Sequence, residues 1–360
     1  MHVLSVVGAR PQFVKLAPID AALRSAGIHH TIVHTGQHYD PLLSEVFFHD
    51  LGIGAPDVHM EVGSGSHGVQ TAAILAAMDA VLAEHLPDWV LVYGDTNSTL
   101  AGALSAVKLH VPVAHLEAGL RSFNRAMPEE INRVLTDHAA DLLLTPTMVG
   151  AAHLAKEGLQ ARTVVVGDVM TDVLLRVRDQ VADSPSPVVA DLRLAAGSYS
   201  LATIHRAENT DDAERLQSVL ESLTAIDHPV VLLAHPRLVA KCTEHEIVLE
   251  NRGSLRIHTP LAYPDLIASA LHARGIITDS GGLQKEAFLL RVPCTTVRPQ
   301  TEWVETVELG WNALVEPGPR LAAAASRPRP AEPEKPLAHP YGDGHAAEHV
   351  ARVLIERARS

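Results

Sequence analysis

The sequence predicts an α/β protein made of two similar halves, each a doubly wound parallel sheet. Short apolar, β-branched runs alternate with segments of helical period along nearly the whole chain. Runs such as Trp89–Tyr93 and Val230–Leu233 are apolar almost without interruption, as strands covered on both faces must be. The alternation lapses around Asp183-Ser184-Pro185-Ser186-Pro187 and then begins again. A chain of 360 residues is long enough for two domains with filled cores. The expected architecture is therefore two Rossmann-like domains facing a cleft.

In order, His2–Val7, Thr31–His34, Trp89–Tyr93, Val113–Leu116, Leu142–Thr145 and Thr163–Val166 read as the strands of the first half. Phe13–Ala26, Val69–Glu84, Ser98–Lys108 and Glu129–Ala139 carry the helical period between them. The second half supplies Tyr199–Thr203, Val230–Leu233, Leu255–His258, Gly275–Thr278 and Cys294–Val297. The predicted domains span 1–182 and 188–341, and the amphipathic C-terminal segment 342–360 is expected to pack back on the first. The Pro/Ala-rich stretch Pro317–Pro340 reads as a surface excursion.

Composition narrows the function. A net charge of −13 argues against nucleic acid or an anionic membrane as partner. No apolar run reaches the ~18 residues of a membrane span, and Met1–Val7 has neither a basic leader nor a small-residue cleavage site. The two cysteines, Cys242 and Cys294, suit a reducing cytoplasm rather than a disulfide framework. The 22 histidines are scattered, and His34 and His38 straddle Gly36 instead of sharing a helix face, so no metal is expected.

In an open parallel sheet, ligands bind beyond the carboxyl ends of the strands. The first such end reads Gly8-Ala9-Arg10-Pro11, with Lys15 about one turn into the next helix, a glycine turn and two cations that make an anion site. It is not a Gly-x-Gly-x-x-Gly fingerprint, so no dinucleotide cofactor is implied. Asp95 follows Trp89–Tyr93, Glu117 follows Val113–Leu116, and Glu129 opens the helix after Pro128. Any one of these acids could be a cap or a solvated charge, but three at strand and helix ends of one domain form an acid/base set. In the second half His205-Arg206 and His235-Pro236-Arg237 follow strands, and Asp279-Ser280-Gly281-Gly282 leads into a helix bearing Glu286. Ser-Gly-Gly at a helix start serves either to present free N–H groups to a diphosphate or to supply a turn with positive φ; Glu286 is one turn on, within reach of a ribose. No activated Ser or Cys and no Walker lysine is apparent. The residues point to chemistry on a nucleotide-linked sugar, with transfer, hydrolysis and epimerisation all open.

The chain resembles the non-hydrolysing UDP-N-acetylglucosamine 2-epimerases. The resemblance rests on Gly8-Ala9-Arg10-Pro11, Thr35-Gly36-Gln37-His38, Gly94-Asp95-Thr96, Glu117-Ala118-Gly119-Leu120-Arg121, Pro128-Glu129-Glu130-Ile131-Asn132-Arg133, His205-Arg206-Ala207-Glu208-Asn209, Asp279-Ser280-Gly281-Gly282, Thr301-Glu302 and Tyr341-Gly342-Asp343-Gly344, in the family's order. It implies the glycosyltransferase-B fold, a homodimer, a UDP-sugar substrate and no cofactor. It assigns Asp95, Glu117 and Glu129 to acid/base work at the sugar C2 and His205 to the departing diphosphate. Arg10, Lys15, Arg133, His235, Ser280, Gly281, Gly282 and Glu286 match nucleotide- and phosphate-binding positions. The implied reaction eliminates UDP to a 2-acetamidoglucal and adds it back with inversion at C2. Three segments depart from the commoner family pattern: Ala9 and Gln12 replace Thr and Glu, Asp168 follows Gly167 where Asn is usual, and Trp303 interrupts Thr-Glu-Arg-Pro-Glu. These departures resemble a branch that includes 2-epimerases of UDP-2,3-diacetamido-2,3-dideoxyglucuronate.

Overall fold

The computed structural model describes residues 1–37, 53–333 and 339–358, with Arg10 described by its backbone alone. His38 and the Arg10 side chain, both singled out by the sequence, lie outside the described residues. The chain divides into two compact units, Met1–Val173 with His339–Ser360, and Leu174–Ala338.

The first unit is built on β1 (His2–Val7), β2 (His29–His34), β3 (Val58–His59), β4 (Trp89–Tyr93), β5 (Val113–Leu116), β6 (Leu142–Thr145) and β7 (Thr163–Val165). All pairings are parallel and the order is β3-β2-β1-β4-β5-β6-β7. The crossover helices are α1 (Arg10–Ser25), α2 (His67–His85), α3 (Asn97–Lys108), α4 (Pro128–Ala139) and α5 (Met148–Lys156); α6 (Val169–Val181) follows β7, its residues from Leu174 on belonging to the second unit. The strand period of two sends Val3, Val7, Leu91, Tyr93 and Leu116 to one face and Leu4, Val6, Val90, Val92 and Leu143 to the other. The first face meets Phe13, Leu16 and Leu23 of α1; the second meets Ile74, Met78 and Leu82 of α2. Both faces are therefore dry, which is why the strands read as continuous apolar runs.

The second unit repeats the plan with α7 (Pro187–Leu192), β8 (Ser200–Thr203), α8 (Ala207–Thr210), α9 (Ala213–Thr224), β9 (Val230–Leu233), α10 (Pro236–Glu244), β10 (Leu255–His258), α11 (Tyr263–Leu271), β11 (Gly275–Thr278), α12 (Gly281–Leu289), β12 (Cys294–Thr296), α13 (Val304–Glu308), β13 (Asn312–Leu314) and α14 (Pro319–Ala325). Its sheet is also fully parallel, in the order β10-β9-β8-β11-β12-β13. Both sheets reverse direction beside their first strand, between β1 and β4 and between β8 and β11, which places a ligand-binding crevice at each of those points. The expected surface excursion after Pro317 is corrected in part. The run Leu321–Ala325 is made of strong helix formers behind Pro319, and α14 buries Leu321 completely against the second unit's core.

The last helix, α15 (Ala346–Ala358), returns to the first unit and lies against α1, with Val350, Ala351 and Leu354 in the same core as Leu16 and Leu23. Its start is capped at a distance. The Asp172 carboxylate accepts from the backbone N–H groups of Ala346 at 3.0 Å and Ala347 at 2.8 Å. Among the described residues no helix is long and apolar enough to cross a membrane, and Cys242 and Cys294 are buried and free.

Candidate active site

The first unit gathers its chemistry at the ends of β1, β4 and β5. Gly94 and Gly119 flank the turns that carry Asp95 and Glu117, with φ of +61° and +83°, and Glu117 itself sits at φ +69°. A glutamate in the left-handed region costs about 1–2 kcal/mol, so the surroundings must hold it there. Part of that hold is ionic: the Lys15 ammonium donates to the Glu117 carboxylate, and both side chains are mostly buried. Burial alone would depress the lysine, but Glu117, with Asp168 and Asp95 further off, outweighs it and raises its pKa above the ordinary value. Asp95 is matched in the same way: Arg133 binds its carboxylate and also donates to Glu130 at 3.0 Å. Lys15 and Arg133 thus face catalytic-type carboxylates of the first unit. Glu130 is a brace, accepting from Ser122 N and Oγ and from Phe123 N, each at 2.9 Å. Glu129, one residue earlier, is half-buried and has no hydrogen-bond partner among the described residues.

Gln12 explains one departure seen in the sequence. It occupies the N3 position of α1, where its Oε1 accepts from Gly8 N at 2.8 Å and Ala9 N at 3.0 Å. Its Nε2 faces the Tyr93 carbonyl at 2.7 Å and the Thr96 hydroxyl at 3.0 Å. One buried amide therefore ties the β1 turn to the turn holding Asp95, using an acceptor end and a donor end. Gln12→Met, which keeps the volume, is expected to leave those groups unsatisfied and cost about 2–4 kcal/mol in a urea titration.

The sequence pointed to no activated serine, yet the first unit contains a hydrogen-bonded Ser–His–Asp chain. Ser5 Oγ lies 2.8 Å from His30 Nε2, and His30 Nδ1 lies 2.7 Å from Asp20. Ser5 is 0% exposed, and its hydroxyl also meets the Tyr93 hydroxyl at 2.8 Å. With Ser5 and His30 both buried, this chain satisfies buried polar groups and cannot meet a substrate.

In the second unit Asp279 organises the crevice, a residue the sequence showed only as part of a motif. Fully buried, it accepts from His205 N at 3.0 Å, Arg206 N at 2.9 Å and Asn209 Nδ2 at 3.1 Å, and faces His205 Nδ1 at 3.4 Å. Burial lowers the His205 pKa; Asp279 opposes this, while His235, Arg206 and Arg237 reinforce it, so it lies below the ordinary value. The His235 ring stands 5.2 Å from that of His205, centroid to centroid. Neither Gly281 nor Gly282 has a positive φ, which removes the turn explanation for the glycines. A Cβ on Gly281 would instead meet the end of the Glu302 side chain, which is flexible and can swing aside, with Arg206 Nη2 at 3.5 Å; Gly282 faces open space. Ser280 precedes α12 without capping it, leaving its hydroxyl available at the helix start. Glu286 accepts from the Tyr263 hydroxyl at 2.9 Å, and burial raises its pKa. Trp303, the third departure, donates from its indole to the Gly281 carbonyl at 2.7 Å and lies under the Lys285 ammonium, 4.6 Å from the ring centre. Among the described residues no three His, Cys, Asp or Glu side chains are grouped to hold a metal.

A family profile described as UDP-N-acetylglucosamine 2-epimerase matches residues 21–355. The chain belongs to the UDP-N-acetylglucosamine 2-epimerase family. Within that family it is 44% identical, over 99% of this chain and 100% of the relative, to a UDP-2,3-diacetamido-2,3-dideoxy-D-glucuronate 2-epimerase of Pseudomonas aeruginosa. It is 42% identical, over 98% and 99%, to a UDP-N-acetylglucosamine 2-epimerase homologue of Methanococcus maripaludis. A crystal structure of Methanocaldococcus jannaschii UDP-GlcNAc 2-epimerase in complex with UDP-GlcNAc and UDP superposes with a TM-score of 0.79 at 38% identity, covering 99% of this chain and 100% of that one. The likeness to that structure runs over the whole length of both chains.

Proposed function

We propose that the protein is a non-hydrolysing 2-epimerase that interconverts UDP-N-acetylglucosamine and UDP-N-acetylmannosamine, working as a cytoplasmic homodimer without a cofactor. The observation that carries this reading is the pair of carboxylates Asp95 and Glu117, at the ends of adjacent strands, each matched to its own cation. Inversion at C2 needs one group to take a proton from one face and another to return it on the other, and carboxylates are suited to both tasks. As the C2 proton passes to the base, the C1–O bond breaks and its electron pair leaves with UDP, giving a planar 2-acetamidoglucal. UDP then adds back at C1 as the second carboxyl group protonates the opposite face of C2. Asp95, Glu117 and Glu129 supply these carboxyl groups. Arg10, Ser280, Gly281, Gly282, His205 and His235 serve the diphosphate, and Glu286 the ribose. Incubation with UDP-N-acetylglucosamine in deuterated water tests the reading: it requires deuterium at C2 and UDP-N-acetylmannosamine as product. Release of free N-acetylmannosamine, or transfer of the sugar without exchange, would overturn it.

A second reading, the same inversion on a UDP-2,3-diacetamido uronate, is favoured by Gln12, Asp168 and Trp303 and by the Pseudomonas aeruginosa relative. The two substrates compared side by side separate these readings.

Two binding predictions follow from the second unit. Ser280→Ala is expected to weaken UDP about tenfold by calorimetry, the value of one hydrogen bond to a charged phosphate. Because the His205 pKa is lowered in the free protein, a diphosphate bound beside it raises that pKa and draws in a proton. UDP affinity should therefore fall as pH rises, with proton uptake visible as a buffer-dependent binding enthalpy. Equal enthalpies in phosphate and Tris would contradict this.

A further inference from the structure

His115, on β5, lies fully buried between the two turns that carry Asp95 and Glu117. Its Nε2 is 2.7 Å from the Gly94 carbonyl and its Nδ1 is 2.7 Å from Asp137 Oδ1. A carbonyl oxygen only accepts, and a carboxylate only accepts. With Asp137 ionised, both ring nitrogens donate and each carries a proton. The contacts of the other carboxylate oxygen favour that ionised form: it accepts from Gly119 N at 3.1 Å and meets the Arg121 cation at 2.7 Å. Consistent with that, burial would raise the Asp137 pKa, but His115 and Arg121 outweigh it and hold the group below its ordinary value. Arg121 is in turn held by Glu157 through Nε and Nη2, each at 2.8 Å. The groups facing the ring are thus Asp137 from α4, the Gly94 carbonyl from the end of β4 and, behind Asp137, Arg121 with Glu157. Lys15, Asp95 and Glu117 stand at the adjoining strand ends.

We propose that His115 is a buried imidazolium, clamped by Asp137, that acts as a positioning residue for the reaction. It grips Gly94 beside Asp95, while its partner Asp137 grips Gly119, two residues beyond Glu117. One fixed ring and its partner therefore set the spacing of the two strained turns whose tips carry the carboxylates. This role rests on the proposed chemistry at C2, and none of the family's matching motifs assigns it.

The test has two arms. In the wild-type protein, 15N NMR of the histidine rings at pH 7.5 should show one ring with both nitrogens protonated and both N–H protons protected from exchange, absent from His115→Gln. A His115 ring with one bare nitrogen would overturn the proposal without any variant having to fold. In kinetics, His115→Gln and Asp137→Asn should each lower kcat about 10- to 100-fold with KM changed less than about threefold, as misplacement of reacting groups does. A KM that rises as far as kcat falls would reduce His115 to a structural residue. Absence of C2 exchange in the wild type would instead overturn the reaction, and the ring's two protons would still be decided by the spectrum.

Discussion

Asp95→Asn, Glu117→Gln and Glu129→Gln are each expected to lower the rate of C2 exchange at least about a hundredfold while UDP still binds. Each amide keeps the size of the carboxyl group and removes its capacity to carry a proton. Single-turnover exchange in deuterated water reads the rate, and calorimetry with UDP reads the binding. The three variants should differ in stability, because their partners differ. Glu117→Gln leaves the Lys15 cation, 15% exposed, facing a neutral amide, and should cost about 2–3 kcal/mol. Asp95 is 32% exposed and Arg133 keeps Glu130, so Asp95→Asn should cost about 1 kcal/mol or less. Glu129 has no side-chain partner among the described residues, and its variant should melt like the wild type. Near-normal exchange in all three would remove the chemistry from the first unit altogether.

The second large effect is on folding. Gly119→Ala is expected to destabilise the protein by about 3 kcal/mol or more, enough to lower Tm by many degrees. The added Cβ would sit 2.5 Å from the Gly150 carbonyl oxygen and 2.8 Å from its carbon, both backbone atoms that cannot swing aside. It would do so at φ +83°, a conformation already unfavourable for alanine. Gly27→Ala is the control. Its φ is +71°, yet nothing lies within 4 Å of the new methyl, so only the backbone strain of about 1 kcal/mol should appear. If the two variants lost equal stability, contact with Gly150 would not be the reason glycine is needed.

Much of the fold was legible because burial on both faces leaves a strand no choice but to be apolar. Trp89–Tyr93, Val113–Leu116, Leu142–Thr145 and Gly275–Thr278 begin and end where that pattern does. The edge strands Val58–His59 and Asn312–Leu314 escaped because a half-covered strand of two or three residues carries no such pattern. The acids at the strand ends were visible one by one. Their partners were not: Lys15 lies 102 residues from Glu117, and Arg133 lies 38 from Asp95. Spacing along the chain holds no trace of such pairings, which arise only when the sheet order brings the ends of β1, β4 and β5 together. His115 was hidden for another reason. It sits inside a strand, and only the two acceptors around its ring distinguish it from core filling.

The return of the last helix to α1 has a bearing on biosynthesis. As the chain leaves the ribosome, the second unit has all of its strands in hand while the first still lacks Val350 and Leu354 for one side of its core. Leu16 and Leu23 can settle on the sheet early, but the side of α1 that α15 covers must wait for residues more than 300 positions downstream. The nascent protein therefore keeps one flank of that helix uncovered for most of its translation.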